Sequence, residues 1–162
     1  MTYLDYSATT PVDEQVLETF NKVCTEYPGN SNSLHSLGIK SKQLEDYATS
    51  EIAKMLKVKP SEVIYTSGAS ESNNTAIKGI CLKYQNRGKH IITTDFEHSS
   101  IYGPISYLQT LGFEVDFIKT LDNGLVDIDN LKSLIRDDTI LVSITAVNSE
   151  IGIKEQIEEI DS

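Results

Sequence analysis

The chain has 162 residues, 39% hydrophobic and 23% charged, enough to bury an ordinary core in one domain or in part of a larger one. Fourteen Lys and Arg against 24 Asp and Glu leave a formal charge of −10, which repels phosphate backbones and argues against a nucleic-acid or anionic-membrane surface. Two cysteines without CxxC spacing exclude a disulfide framework, and the first residues carry neither a basic nor an apolar signal region, so the expected setting is the cytoplasm.

A helix is predicted to start at Asp13, a good N-cap, with Val16, Leu17, Phe20, Val23 and Cys24 on its apolar stripe and Pro28-Gly29 as its stop. Gly29 to Ser33 reads as a loop. A second helix places Leu44, Tyr47, Ala48, Ile52, Met55 and Leu56 on one face and ends before Pro60. The pattern then changes. Val63-Ile64-Tyr65 reads as a buried strand, followed by a helix with Ala76, Ile77, Ile80, Cys81 and Tyr84 inward. Ile91-Ile92 forms the next strand, followed by a helix carrying Ile101, Ile105 and Leu108.

Alternation of Phe113, Val115 and Phe117 predicts a third strand, and Asn123-Gly124 a turn. Asp127 caps a short helix with Ile128, Leu131, Leu134 and Ile135. Thr139–Ala146 is the strongest strand pattern, and a last helix begins in Glu155–Ser162. Strands alternating with helices imply right-handed βαβ units: an α/β fold, a three-layer sandwich around a mainly parallel sheet.

In such sheets ligands bind beyond the carboxyl ends of the strands. Three expected strands end in polar clusters: Thr66 to Ser72, Phe96 to Ser100, and Asn148 to Gly152. Gly68 and Ala69 let backbone N–H groups approach an anion, and Ser70 opens a helix whose N-terminus favours phosphate. Spacing alone leaves a simple serine cap after a tight turn as the other reading. His98 can exchange protons near neutral pH or stack on a flat ring, and on spacing alone it is equally a cap or a surface group. His35 and His90 are weaker candidates. No His, Cys or carboxylate pair has metal-ligand spacing, so no metal is expected. Asp137-Asp138 and Glu158-Glu159 read as solvated charge, and Cys24 and Cys81 as small buried hydrophobes.

These clusters carry a family resemblance. Tyr3-Leu4-Asp5-Tyr6-Ser7-Ala8-Thr9-Thr10-Pro11 resembles the opening of the pyridoxal-phosphate-dependent cysteine desulfurases. Gly29-Asn30 with Ser33-Leu34-His35 and Gly38 is similar to their next loop. Thr66 to Ser72 resembles their phosphate loop, TSGATES, and Glu97-His98 their cofactor-stacking segment. Asp137 to Gly152 is similar to their DDTILVSI…VNNEIG block.

The resemblance implies part of the large domain of a fold-type I enzyme, with residues 1–12 as an N-terminal active-site segment and 13–162 as the N-terminal part of the cofactor domain. It implies that Ala69 and Ser70 hold the phosphate of pyridoxal 5'-phosphate, Ser70 standing where the family usually has Thr. His98 would stack on the ring and move protons. Asn148 matches the first Asn of the family's pair, and Ser149 replaces the second, with a shorter reach toward cofactor and substrate. The family's pyridine-pairing Asp, Schiff-base Lys and sulfur-accepting Cys would lie beyond Ser162.

The implied activity is conversion of L-cysteine to L-alanine, with sulfur passing to an enzyme cysteine persulfide and on to an acceptor protein for iron–sulfur cluster or thio-cofactor synthesis. A homodimer is implied for the complete protein. A selenocysteine lyase or aminotransferase of the same fold, separable by substrate turnover, and a non-catalytic binding module are the other readings. The resemblance further implies that the strand near Val63 to Thr66 does not neighbour the three later strands. Unpaired edges would result, with an oligomer, a swapped assembly or a shifted first strand as the outcome.

Overall fold

The computed structural model describes residues 2–160; Met1, and Asp161 and Ser162 of the expected closing helix, lie outside the described residues. The fold divides into two compact units, one ending at Tyr65 and the other starting at Thr66.

The first unit is helical. Helix α1 (Glu14–Glu26) starts where expected, the Asp13 carboxylate accepting from the N–H groups of Gln15 at 2.9 Å and Val16 at 3.4 Å. Its apolar stripe, however, finds no cover within the unit: Val16, Leu17 and Phe20 are exposed. Cys24 is exposed as well, which corrects its reading as a buried hydrophobe. Periodicity identified the stripe, but a stripe is buried only by a partner.

Helix α2 (Ser36–Leu56) behaves similarly. Tyr47, Met55 and Leu56 of its expected inner face are exposed, and its buried residues are Gly38 and Ala53. The loop before it is tightly packed. A Cβ on Gly29 would overlap the Leu37 backbone, and one on Gly38 would overlap the Ser33 carbonyl oxygen. His35 caps α2 there, its Nδ1 accepting from the Gly38 N–H at 3.3 Å. A 3-10 turn at Pro60–Glu62 follows.

Val63-Ile64-Tyr65 belongs to no strand, and Ile64 is 75% exposed, so the buried strand expected there is absent. A short apolar run becomes a strand only when a neighbouring strand offers it hydrogen bonds, and none of the described residues does.

The second unit is the α/β sandwich. It runs α3 (Ala69–Tyr84), β1 (His90–Thr93), α4 (Ser99–Thr110), β2 (Glu114–Phe117), α5 (Ile128–Leu134), β3 (Thr139–Ser143) and the short α6 (Ile157–Ile160). The sheet is parallel, in the order β2-β1-β3. β1 is central and wholly buried because side chains on both its faces are covered. Ile91 packs with Ile77 and Cys81 of α3, Ile105 and Leu108 of α4, and Phe113. Ile92 packs on the other face with Ile118, Val126 and Leu131 of α5. Helices on two faces of one parallel sheet make the three layers that the alternation of elements predicts.

His90 fastens the start of this sheet. It is fully buried, with Nδ1 2.8 Å from Thr139 Oγ1 on β3 and Nε2 3.2 Å from Asp116 Oδ2 on β2. The register between β1 and β3 slips after His90, so Ile140 is bulged out, and Ile140 and Leu141 both pack against the α3–α4 face. The Asn123-Gly124 turn forms as expected, with Gly124 at φ 86° and the Gly124 N–H donating to the Leu121 carbonyl at 2.8 Å. Asp138 is not merely solvated: it pairs with the Arg136 guanidinium at 2.8 Å, and Arg136 also pairs with Glu114.

Candidate active site at the carboxyl ends of the strands

The phosphate-type cluster forms the start of α3. Gly68 is the N-cap and offers no side chain to the helix, so the first-turn N–H groups at Ala69 and Ser70 receive no side-chain cap. Both residues are exposed. The loop before them is braced from within. The Ser67 hydroxyl and N–H donate to Glu71 Oε2 at 2.6 and 2.7 Å, and Thr66 Oγ1 lies 2.6 Å from Ser72 Oγ. The Ser67 hydroxyl, and then its N–H, hold the Glu71 carboxyl below the ordinary carboxylate value. The arrangement is an open helix N-terminus behind an ordered loop, a donor set suited to a phosphate.

His98 is the N-cap of α4. Its Nδ1 accepts from the Ser100 N–H at 3.1 Å and lies 2.8 Å from Ser100 Oγ. The ring itself is exposed. The cap and the surface position that spacing alone allows for His98 are thus both present. Asn73 on α3 donates from Nδ2 to Ser100 Oγ at 2.9 Å. That bond ties α3, one turn beyond Ser70, to the first turn of α4, so the Ala69–Ser70 donors and His98 sit at one edge of the sheet.

The third cluster closes on the second through a buried carboxylate. Glu97 Oε1 accepts from Thr94 Oγ1 at 2.9 Å and from the Thr145 N–H at 2.7 Å, while Oε2 accepts from Thr145 Oγ1 at 2.8 Å. Three donors replace the water that a buried carboxylate loses. This clamp joins the chain leaving β1 to the chain leaving β3.

Asn148 adds a second tie. Its Nδ2 donates to the Phe96 carbonyl at 2.9 Å, and its Oδ1 accepts from the N–H groups of Glu150 and Ile151 at 2.9 and 3.1 Å. Asn148 is therefore buried and organises its loop, whereas Ser149 is exposed. The two loops enclose a cleft of about 270 Å³, bordered by Phe96, His98, Thr145, Asn148 and Ser149 among others.

His35 and His90 lie elsewhere, one capping α2 and one holding the strand starts together. Among the described residues no group of His, Cys, Asp or Glu is arranged to hold a metal ion, and no helix is long and apolar enough to cross a membrane. Asn73, Ser100, Thr94 and Thr145 received no role from the sequence. Asn73 and Ser100 are 27 residues apart and Thr145 is 48 from Glu97, while Thr94, three residues from Glu97, is a β-branched position that reads as strand. Only the parallel topology brings them together.

The family model for aminotransferase class-V matches residues 2–162. The chain belongs to the aminotransferase class-V family. Within it, the chain is 41% identical over 160 residues to cysteine desulfurase IscS 1 of Archaeoglobus fulgidus, covering 99% of this chain and 42% of that protein. It is 45% identical over 157 residues to the cysteine desulfurase IscS of a Neisseria meningitidis serogroup C strain, covering 96% of this chain and 39% of the relative.

A solved NifS-like protein superposes with a TM-score of 0.93 at 38% identity, covering 98% of this chain and 44% of that one. SspA, solved in complex with cysteine, superposes with a TM-score of 0.89 at 35% identity, covering 99% and 46%. The chain thus spans about two fifths of the length of the class-V relatives it matches.

Proposed function

We propose that these residues are the N-terminal part of a pyridoxal-phosphate-dependent cysteine desulfurase. The reading is supported most by one conjunction: near-complete coverage of this chain by proteins named cysteine desulfurase, with an uncapped helix N-terminus and an exposed imidazole tied together at one sheet edge.

The donor set fits the cofactor. The N–H groups and hydroxyl at Ala69 and Ser70 suit a dianionic phosphate, and the exposed His98 ring offers a flat face at the start of the helix that Asn73 ties to theirs. When bound, pyridoxal phosphate supplies an electron sink for the carbon that loses its proton. His98 carries its proton on Nε2, because Nδ1 accepts from the Ser100 N–H, and Nε2–H is the donor the ring offers; it takes up a further proton only when Nδ1 gives up that bond. Glu97 and Asn148 keep the walls of the cleft in register, and Ser149 presents a hydroxyl at its rim.

In the complete protein the substrate is L-cysteine. Its C–S bond breaks, Cβ gains a proton, and the sulfur joins an enzyme thiolate as a persulfide, leaving L-alanine. An acceptor protein then takes the sulfur; the enzyme is a cytoplasmic homodimer. The division into an active-site segment at residues 1–12 and a cofactor domain from residue 13 is retained for that complete protein.

The experiment is to supply the complete protein, loaded with pyridoxal phosphate, with L-cysteine and a thiol reductant. Alanine and sulfide should form in equal amounts. Alanine formation from selenocysteine but not from cysteine would replace the reading with a selenocysteine lyase.

A further inference from the structure

We infer that Ser100 and Asn73 are positioning residues that fix the ring orientation and tautomer of His98, an inference resting on the role proposed above for that histidine. The Ser100 backbone N–H lies 3.1 Å from His98 Nδ1 and can only donate, so Nδ1 presents its lone pair and the neutral ring carries its proton on Nε2.

The Ser100 hydroxyl is 2.8 Å from the same nitrogen and 2.9 Å from Asn73 Nδ2. An amide nitrogen only donates. The hydroxyl oxygen therefore accepts from Asn73 and turns its own hydrogen toward Nδ1. Asn73 belongs to α3, one turn beyond Ser70, and Ser100 is 9% exposed, so water competes poorly for these bonds.

The consequence is directional. Nδ1 is taken up by Ser100, and Nε2–H is left as the ring's other donor; the ring takes up a further proton only when Nδ1 leaves Ser100. The same Asn73–Ser100 bond connects the helix that offers donors to an anion with the helix that carries the imidazole. Displacement of one is felt by the other.

The test uses the complete protein with selectively ¹⁵N-labelled histidine, first without cofactor. In the parent, His98 should show an unprotonated Nδ1 and a protonated Nε2. Ser100→Ala keeps the backbone N–H at Nδ1 but removes the hydroxyl and its tie to Asn73, so the two nitrogen shifts should move part-way toward each other as the ring loosens. Ser100→Thr, which keeps the hydroxyl, should restore them. With cofactor loaded, Ser100→Ala should lower kcat for alanine formation by about 3- to 10-fold, the range expected for one lost hydrogen bond, with KM changed less than about twofold.

Asn73→Ala should give a smaller effect of the same kind, and it carries the test if Ser100→Ala does not fold. Nitrogen shifts unchanged in the folded variant would overturn the inference. Altered shifts together with parental turnover in His98→Ala would leave the positioning intact and overturn the role assigned to His98 instead.

Discussion

Burial pushes the Cys81 thiol up to about 11, because no water reaches the sulfur to stabilise a thiolate. The unfolded chain loses this proton near the ordinary thiol value of 9.0, the folded chain only near 11, so the contribution of Cys81 to stability is full below the lower value and declines between the two. We predict that Cys81 resists thiol reagents at neutral pH until global unfolding. Labelling of Cys81 in the native protein, detected by mass spectrometry, would contradict its placement.

Glu71 works in the opposite sense. Its carboxyl is held low by Ser67, so its bracing of the loop is present above the ordinary carboxylate value and is lost as pH falls through the lowered one. Glu71→Gln should weaken phosphate-dependent thermal stabilisation of the complete protein. An unchanged response to added phosphate would separate loop order from anion binding.

Strand β1 depends on His90 more than on any other polar side chain in it, since its ring bonds both neighbouring strands while fully buried. His90→Ala removes two hydrogen bonds and leaves a cavity, and should cost about 2–4 kcal/mol in urea unfolding. A loss under about 1 kcal/mol would mean that the two strands are held by backbone pairing alone.

In α2 the decisive residue is small. Gly38→Ala places a Cβ on the Ser33 carbonyl and should cost more than about 1 kcal/mol, read from the helical signal on thermal melting. The same elements show what the sequence made legible. Helix starts at Asp13 and Asp127, the strand at Ile91-Ile92 and the turn at Gly124 follow from local chemistry, and each is present. Val63–Tyr65, the stripe of α1 and the face of α2 are apolar patterns whose outcome depends on distant partners, and each differs from its expectation. The Asn73–Ser100 and Glu97–Thr145 ties were illegible for a related reason: no periodicity connects residues 27 or 48 apart.

Taken as a molecule, the second unit gathers the chemistry at one edge of its sheet. The start of α3 offers donors, the start of α4 offers an imidazole, and the loop after β3 closes the cleft beside it. All three were visible in the sequence as polar clusters after apolar runs, and the parallel topology explains why such clusters meet. The measurement that bears most directly on this account is alanine formation from L-cysteine by the complete protein carrying His98→Ala. On the role proposed for His98, its loss should lower turnover by about 10²–10⁴-fold relative to the parent, while the fold is retained. Parental turnover in that variant, with cofactor bound, would contradict it.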